Sequence, residues 1–268
     1  MEPAEAPLAL TAWGQTDKPA LVLLHGFLGS HADWQGVAAA LGQHFCCYAL
    51  DLPGHGASQG VRLTRQPAFD EVNRLLLATL AARKIDRFHL LGYSLGGRLA
   101  LHLAQHLHQQ GQSQRLLSLT LESAHPGLTS EEARQQRLEA DGRWHRKMQT
   151  EPMVRFLEAW YRQPVFADLA PVQRQRLIAM RKNNDSRCLS ALYLGTSLGH
   201  QADLRALARY QPLTLITGQK DSKFTELGQD WARQGGAVSH LVLAGGGHNL
   251  HAGVPEAFSQ AVIDAALS

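Results

Sequence analysis

Apolar residues recur along this chain in two rhythms. Short, nearly unbroken runs at 20–24, 46–50, 88–91, 116–121, 213–217 and 241–243 read as strands buried on both faces, since a strand with one wet face alternates instead. Between them, Phe69, Val72, Leu75, Leu76 and Leu80 repeat at the three-to-four spacing of one helix face. Leu95, Leu99, Leu103 and Leu107 do the same. Strand–helix–strand alternation predicts an α/β fold: a mostly parallel sheet with helices on both faces. From about 125 to 200 the strand rhythm stops. Arg- and Gln-rich helical segments, punctuated by Pro152, Pro164 and Pro171, fill this stretch. Lying between two predicted strands, it reads as an inserted helical cap over one end of the sheet. The expected division is a core of 1–124 and 201–268 and a cap of 125–200.

The composition, 44% hydrophobic and 18% charged over 268 residues, supports a packed core and excludes a disordered chain. No apolar run approaches the roughly 18–20 residues that span a bilayer, and the opening MEPAEAPLAL lacks the basic and long apolar parts of a secretory signal. The expectation is a soluble, cytoplasmic protein without a membrane partner. Three cysteines with no CxxC pair argue against a disulfide framework or zinc ribbon and for reduced core residues. A net charge of +3 is too balanced for a nucleic-acid partner. The cap segment alone holds 12 Lys and Arg against 8 Asp and Glu, a bias that suits an anionic small molecule. His102 and His106 lie four apart on one predicted helix, but without an accompanying carboxylate motif they are expected to be solvated, and no metal site is expected. His55, in the turn Asp51-Leu52-Pro53-Gly54-His55-Gly56, is assigned no chemistry.

The strongest chemical signal is Gly92-Tyr93-Ser94-Leu95-Gly96, between a predicted strand and a predicted helix. This G-x-S-x-G pattern in that context resembles the nucleophile elbow of α/β-hydrolases, with glycines where backbones pass too closely for a Cβ. A serine hydroxyl needs a base, and the base needs an orienter. The loops after the next two strands carry Asp221 and, within Gly245-Gly246-Gly247-His248, His248, giving the order Ser, acid, His. His25-Gly26-Phe27 follows the first long strand, so the backbone N–H groups of Phe27 and Leu95 are the expected oxyanion donors.

Several further segments sharpen the resemblance. Gly92-Tyr93-Ser94-Leu95-Gly96-Gly97-Arg98, His125-Pro126-Gly127-Leu128, Gln163-Pro164-Val165-Phe166, Asn183-Asn184, Asp221-Ser222-Lys223-Phe224 and Gly247-His248-Asn249-x-His251 together resemble the 2-succinyl-6-hydroxy-2,4-cyclohexadiene-1-carboxylate synthase family of menaquinone biosynthesis. The resemblance runs from about the first strand to the last helix. It departs at Gly246, where relatives carry alanine, and at Lys220, where they carry arginine. It implies an α/β-hydrolase fold used by a cofactor-free lyase, which eliminates pyruvate from an enolpyruvyl cyclohexene bearing three carboxylates. The family's binding arginines fall on Arg98, Arg137 and Arg181, and further pocket positions on Tyr93 and Trp160. A guanidinium is permanently charged and binds carboxylates through two parallel hydrogen bonds, so three of them suit that substrate. Two other readings stay open from the residues alone: an esterase or C–C bond hydrolase with the same triad, and a catalytically silent binding protein. Against a hydrolase of neutral substrates stands the expectation that it would leave three pocket arginines buried and unpaired.

Overall fold

The computed structural model describes residues 7–267; residues 1–6, most of the opening segment read above, and residue 268 lie outside the described residues. Seven strands form one sheet: β1 (Leu10–Trp13), β2 (Ala20–Leu24), β3 (Cys46–Leu50), β4 (Phe88–Tyr93), β5 (Leu116–Glu122), β6 (Leu213–Gly218) and β7 (Val238–Leu243). Their spatial order is β1-β3-β2-β4-β5-β6-β7, and all neighbours run parallel except β1, which lies antiparallel to β3. The central strands β2 and β3 begin and end where their apolar runs do. The two edges differ. β1 has its middle residues in solvent and was not foreseen, and β7 is half-buried with Ser239 and Val242 exposed, so only its apolar end at 241–243 was legible.

Side chains alternate across a strand, and β2 uses both faces. Val22 and Leu24 join one core with α2 (Phe69–Ala82) and α3 (Leu95–Gln109), including the Leu95, Leu99, Leu103, Leu107 stripe. Leu21 and Leu23 join a second core on the opposite face, where Leu41, on the short helix α1 (Ala38–Gly42), meets Phe258 and Val262 of the C-terminal helix. Cys46, Cys47 and Cys188 are all free and buried. His102 is not the solvated residue expected: it is half-buried and stacked on Phe69 with ring centroids 3.7 Å apart, and burial pushes its pKa down to about 3.

Within 125–200 the chain forms α4 (Glu131–Thr150), α5 (Met153–Trp160), α6 (Pro171–Arg181) and α7 (Ser186–Gly195). The Ser130 side chain caps α4 and that of Asp185 caps α7, each accepting an otherwise orphaned backbone N–H. Pro171 occupies the first turn of α6, where a missing N–H does no harm. Met148, Phe156, Leu157, Tyr161, Leu189 and Tyr193 form a third core, which closes on Phe27 and Leu28 in the loop after β2. These helices thus sit on the C-terminal edge of the sheet. After them come α8 (Ser222–Arg233), α9 (Leu250–Gly253) and α10 (Pro255–Leu267). Among the described residues no helix is long and apolar enough to cross a membrane, and no group of three or more His, Cys, Asp or Glu is arranged to hold a metal ion.

Candidate active site

Ser94 joins β4 to α3 with φ 51° and ψ −106°, a left-handed backbone that a serine adopts only under constraint. The constraint comes from close packing beneath it: a Cβ on Gly96 would lie 2.1 Å from the Leu24 carbonyl oxygen, so the turn admits no side chain there. The Ser94 N–H donates to the Glu122 carbonyl at 2.8 Å, tying the elbow to β5.

His248 follows β7, and Asp221 stands at the start of α8, where its Oδ1 accepts from the Phe224 N–H. Both side chains are buried. His248 Nδ1 lies 2.6 Å from Asp221 Oδ2, and its Nε2 lies 3.3 Å from Ser94 Oγ. A carboxylate on Nδ1 keeps the ring proton there and leaves the Nε2 lone pair facing the hydroxyl. Three residues distant in sequence thus form a continuous proton path.

The Phe27 and Leu95 residues flank Ser94 in one cleft, and among the described residues neither amide has an acceptor within the chain. Two buried histidines hold the Phe27 loop. His25 Nδ1–H donates to the Gly26 carbonyl at 2.7 Å while its Nε2 accepts from the Leu52 N–H at 3.0 Å. His55 Nδ1–H donates to the Pro53 carbonyl, and its Nε2 accepts from the N–H of Leu28, a residue held at φ 71°. Burial lowers both pKa values, His55 to about 3, which preserves the accepting lone pairs at neutral pH. His55, assigned no chemistry from the sequence, has a structural part: it shapes the loop that carries the Phe27 amide. Sequence gave only its place in a tight Pro-Gly turn.

The arginines divide between two cavities. Arg98, Arg137 and Trp160 line the cleft with Ser94, together with Lys223 and Ser123, which sequence reasoning missed. Arg181 and Tyr93 line a neighbouring cavity that shares Phe27 and reaches His248. Arg137 and Arg181 are ion-paired with Asp141 and Asp33, so the expectation that a neutral substrate would leave all three guanidiniums unpaired is overturned for these two, whereas Arg98 has only neutral acceptors among the described residues. Arg98 donates to the Thr196 carbonyl at 2.6 Å and to Gln201. Burial, and then the nearby Arg137, push Arg98 down to about 10, so it stays charged at pH 7 and favours an anionic neighbour. The Arg137 Nε–H is shared between both oxygens of Asp141 at 2.9 Å. Asp141 also accepts from Tyr193 and Ser197, both at 2.7 Å. Burial opposes the charge on Arg137, but Asp141 outweighs it and raises the pKa. Arg181 reaches from the helical segment to Asp33 at 2.9 Å and donates to the Tyr161 hydroxyl, while its buried Nε has no acceptor among the described residues. Burial and then Arg137 lower the pKa of Lys223, the remaining cation of the cleft. Trp160 meets Phe27 and Tyr193 edge-on, with ring centroids 5.2 and 5.7 Å apart, giving the cleft an aromatic wall.

Comparisons with known proteins agree with this architecture. A family model described as alpha/beta hydrolase fold matches residues 19–253. The 2-succinyl-6-hydroxy-2,4-cyclohexadiene-1-carboxylate synthase of Salmonella paratyphi C (strain RKS4594) is 42% identical over 254 residues, covering 92% of this chain and 95% of the relative. The synthase of the same name from Enterobacter sp. (strain 638) is 39% identical over 250 residues, covering 92% and 91%. Among solved structures, MenH from S. aureus aligns with a TM-score of 0.84 at 22% identity, covering 95% of this chain and 96% of that one, a likeness of fold. With an α/β-hydrolase sheet, a cleft at its C-terminal edge and close relatives along nearly its whole length, the chain belongs to the 2-succinyl-6-hydroxy-2,4-cyclohexadiene-1-carboxylate synthase family.

Proposed function

We propose that this protein is a carbon–oxygen lyase that releases pyruvate from 2-succinyl-5-enolpyruvyl-6-hydroxy-3-cyclohexene-1-carboxylate, leaving the 2,4-cyclohexadiene. Asp221 orients His248, His248 takes the proton of Ser94, and the Ser94 oxygen removes the ring proton α to the succinyl ketone. The electron pair from that C–H bond forms the new 2,3 double bond, the 3,4 double bond moves to 4,5, and the C–O bond to the enolpyruvyl group breaks. The proton held by His248 passes to the departing enolpyruvate, which ketonises to pyruvate. Charge building on the ketone oxygen meets the Phe27 and Leu95 amides, and removing one such donor typically costs about 3–4 kcal/mol of barrier lowering. Ser94 relays a proton and forms no acyl bond. The reaction, as balanced, calls on no metal or organic cofactor.

The observation that carries this reading is the position of Ser94 and His248 between two arginine-bearing cavities. A substrate with carboxylates at its ring, succinyl and enolpyruvyl ends needs cations on more than one side of its reacting carbon. Arg98 and Arg137 supply them on one side and Arg181 on the other. Each charge-assisted contact is worth roughly 1.5–3 kcal/mol once the existing partner is exchanged or shared. We assign 125–200 as the cap bearing Arg137, Trp160 and Arg181, over a core of 1–124 and 201–268. The working compartment is the cytoplasm, and the partner is this small polycarboxylate, with no role for nucleic acid. Incubation with the enolpyruvyl cyclohexene and, separately, with a neutral aryl ester tests the reading. Pyruvate release from the first, far faster than cleavage of the second, is expected; rapid ester cleavage without pyruvate would make the protein a hydrolase.

A further inference from the structure

Behind the elbow lies a second histidine–carboxylate pair that the proton path does not use. Glu122, the last residue of β5, is fully buried, as is His251. The Glu122 Oε2 accepts from His251 Nδ1 at 2.7 Å, and its Oε1 accepts from the N–H groups of Leu250 at 2.6 Å and His251 at 3.1 Å. The same residue's carbonyl holds the Ser94 N–H. One residue therefore grips the nucleophile's turn with its main chain and the segment just after His248 with its side chain.

Before His248 the chain runs through Gly245, Gly246 and Gly247, with Gly245 at φ 71°. Gly245 donates to the Gln219 side chain and Gly246 accepts from the Lys220 N–H, which ties this side to the turn that carries Asp221. The other side, two and three residues beyond His248, is tied as well, for there three hydrogen bonds converge on one carboxylate. The ring of His251 is fixed in turn between Trp34 at 4.5 Å and Tyr93 at 4.9 Å, and Tyr93 also lies against His248. His251 Nε2 has no partner among the described residues, so the ring's proton belongs on Nδ1, facing Glu122. A buried polar pair of this kind adds little stability over well-packed apolar residues, and its use here is to specify one geometry.

We propose that Glu122, acting through His251 and the Leu250 amide, is a positioning residue that sets the distance between His248 and Ser94. The inference rests on the proton-relay reading of that pair. The Nε2 to Oγ separation of 3.3 Å already stands at the long end of productive contact, so small drifts matter. A misplacement of about 1 Å costs on the order of a hundredfold in rate.

The test compares Glu122→Gln, His251→Ala and His251→Asn with the wild type, all checked for folding by circular dichroism and thermal melting. Asparagine keeps an N–H donor near the place of Nδ1; alanine does not. Two rates are measured: pyruvate release from the enolpyruvyl cyclohexene, and capture of Ser94 by a fluorophosphonate, which needs the Ser94–His248 pair but not the lyase substrate. Glu122→Gln and His251→Ala should lower kcat by about tenfold or more with KM within about twofold, and slow Ser94 capture in parallel. His251→Asn should recover most of the loss. A folded His251→Ala variant with wild-type kcat and capture rate, or one changed only in KM, would overturn the proposal. A wild type that captures the probe but releases no pyruvate would refute the lyase reading and leave this test intact. A wild type that does neither would overturn both.

Discussion

The molecule holds two buried histidine–carboxylate pairs within a few residues of each other, His248 with Asp221 and His251 with Glu122. Their near sides match: Nδ1 to carboxylate oxygen is 2.6 Å in one and 2.7 Å in the other. Their far sides do not. His248 Nε2 meets Ser94 Oγ at a cavity wall, whereas His251 Nε2 is enclosed without a partner among the described residues. A carboxylate on Nδ1 makes a well-oriented imidazole, but what the imidazole can do depends on what its other nitrogen faces. In the first pair the second nitrogen has a proton to accept; in the second it has none, so orientation itself is the product. On the proposed relay, the segment that carries both histidines combines a moving proton with a fixed anchor.

The largest effects should come from breaking the first pair. Ser94→Ala should lower kcat by at least about a thousandfold with substrate binding nearly intact, read as turnover against direct binding by calorimetry, because the hydroxyl acts in the transition state. Asp221→Asn should be somewhat milder, at about a hundredfold or more, since the amide can hold His248 in the wrong tautomer.

Next in size are the cations that surround the pair. Arg98→Ala, Arg137→Ala and Arg181→Ala should each lower kcat/KM by about tenfold or more at low ionic strength, with Arg→Lys recovering only part, because an ammonium lacks the planar fork. Cleavage of a neutral ester, if any is measurable, should not respond to them. Asp141→Asn sharpens the point: it leaves Arg137 in place but removes the anion that holds its Nε–H, and should raise KM by a few-fold with kcat little changed.

The smallest predicted effect on turnover, and a distinct one on stability, concerns pH. His55, His102 and His125 are held near pKa 3, each chiefly by burial. Their folded pKa values lie below the unfolded value of about 6.5, so the unfolded chain binds more protons between those limits. Stability conferred by the neutral forms is full above about pH 6.5 and falls with acidification, by up to about 1.4 kcal/mol per pH unit for each histidine. Denaturant melts from pH 7.5 to 5 should show that slope, and His102→Gln should flatten it.

Much of this arrangement was legible in the sequence, and the reasons are local. β2 and β3 are central strands whose apolar runs end where pairing ends, and within the elbow a Cβ on Gly92 would strike Gly96 and Gly97, a clash between near neighbours in sequence. The placement of Asp221 and His248 followed because each lies just past an apolar run. What escaped was polar burial. Glu122 meets His251 across 129 positions, His55 meets Leu28 across 27, and Asp141 meets Ser197 across 56. No local pattern separates such residues from solvated ones, and His102 was misread for the same reason. The edge strands were legible only in part because they are half-buried, with Thr11, Ala12, Ser239 and Val242 in solvent, so no continuous apolar run marks their bounds.

The central claim is that Ser94 and His248 remove a carbon-bound proton. It is tested most directly by a competition between the enolpyruvyl cyclohexene and the same compound carrying deuterium at the ring carbon α to the ketone, with pyruvate release followed for each. The account predicts a primary isotope effect on kcat/KM in the wild-type enzyme. Equal consumption of the two compounds, with an acyl group found on Ser94, would contradict it.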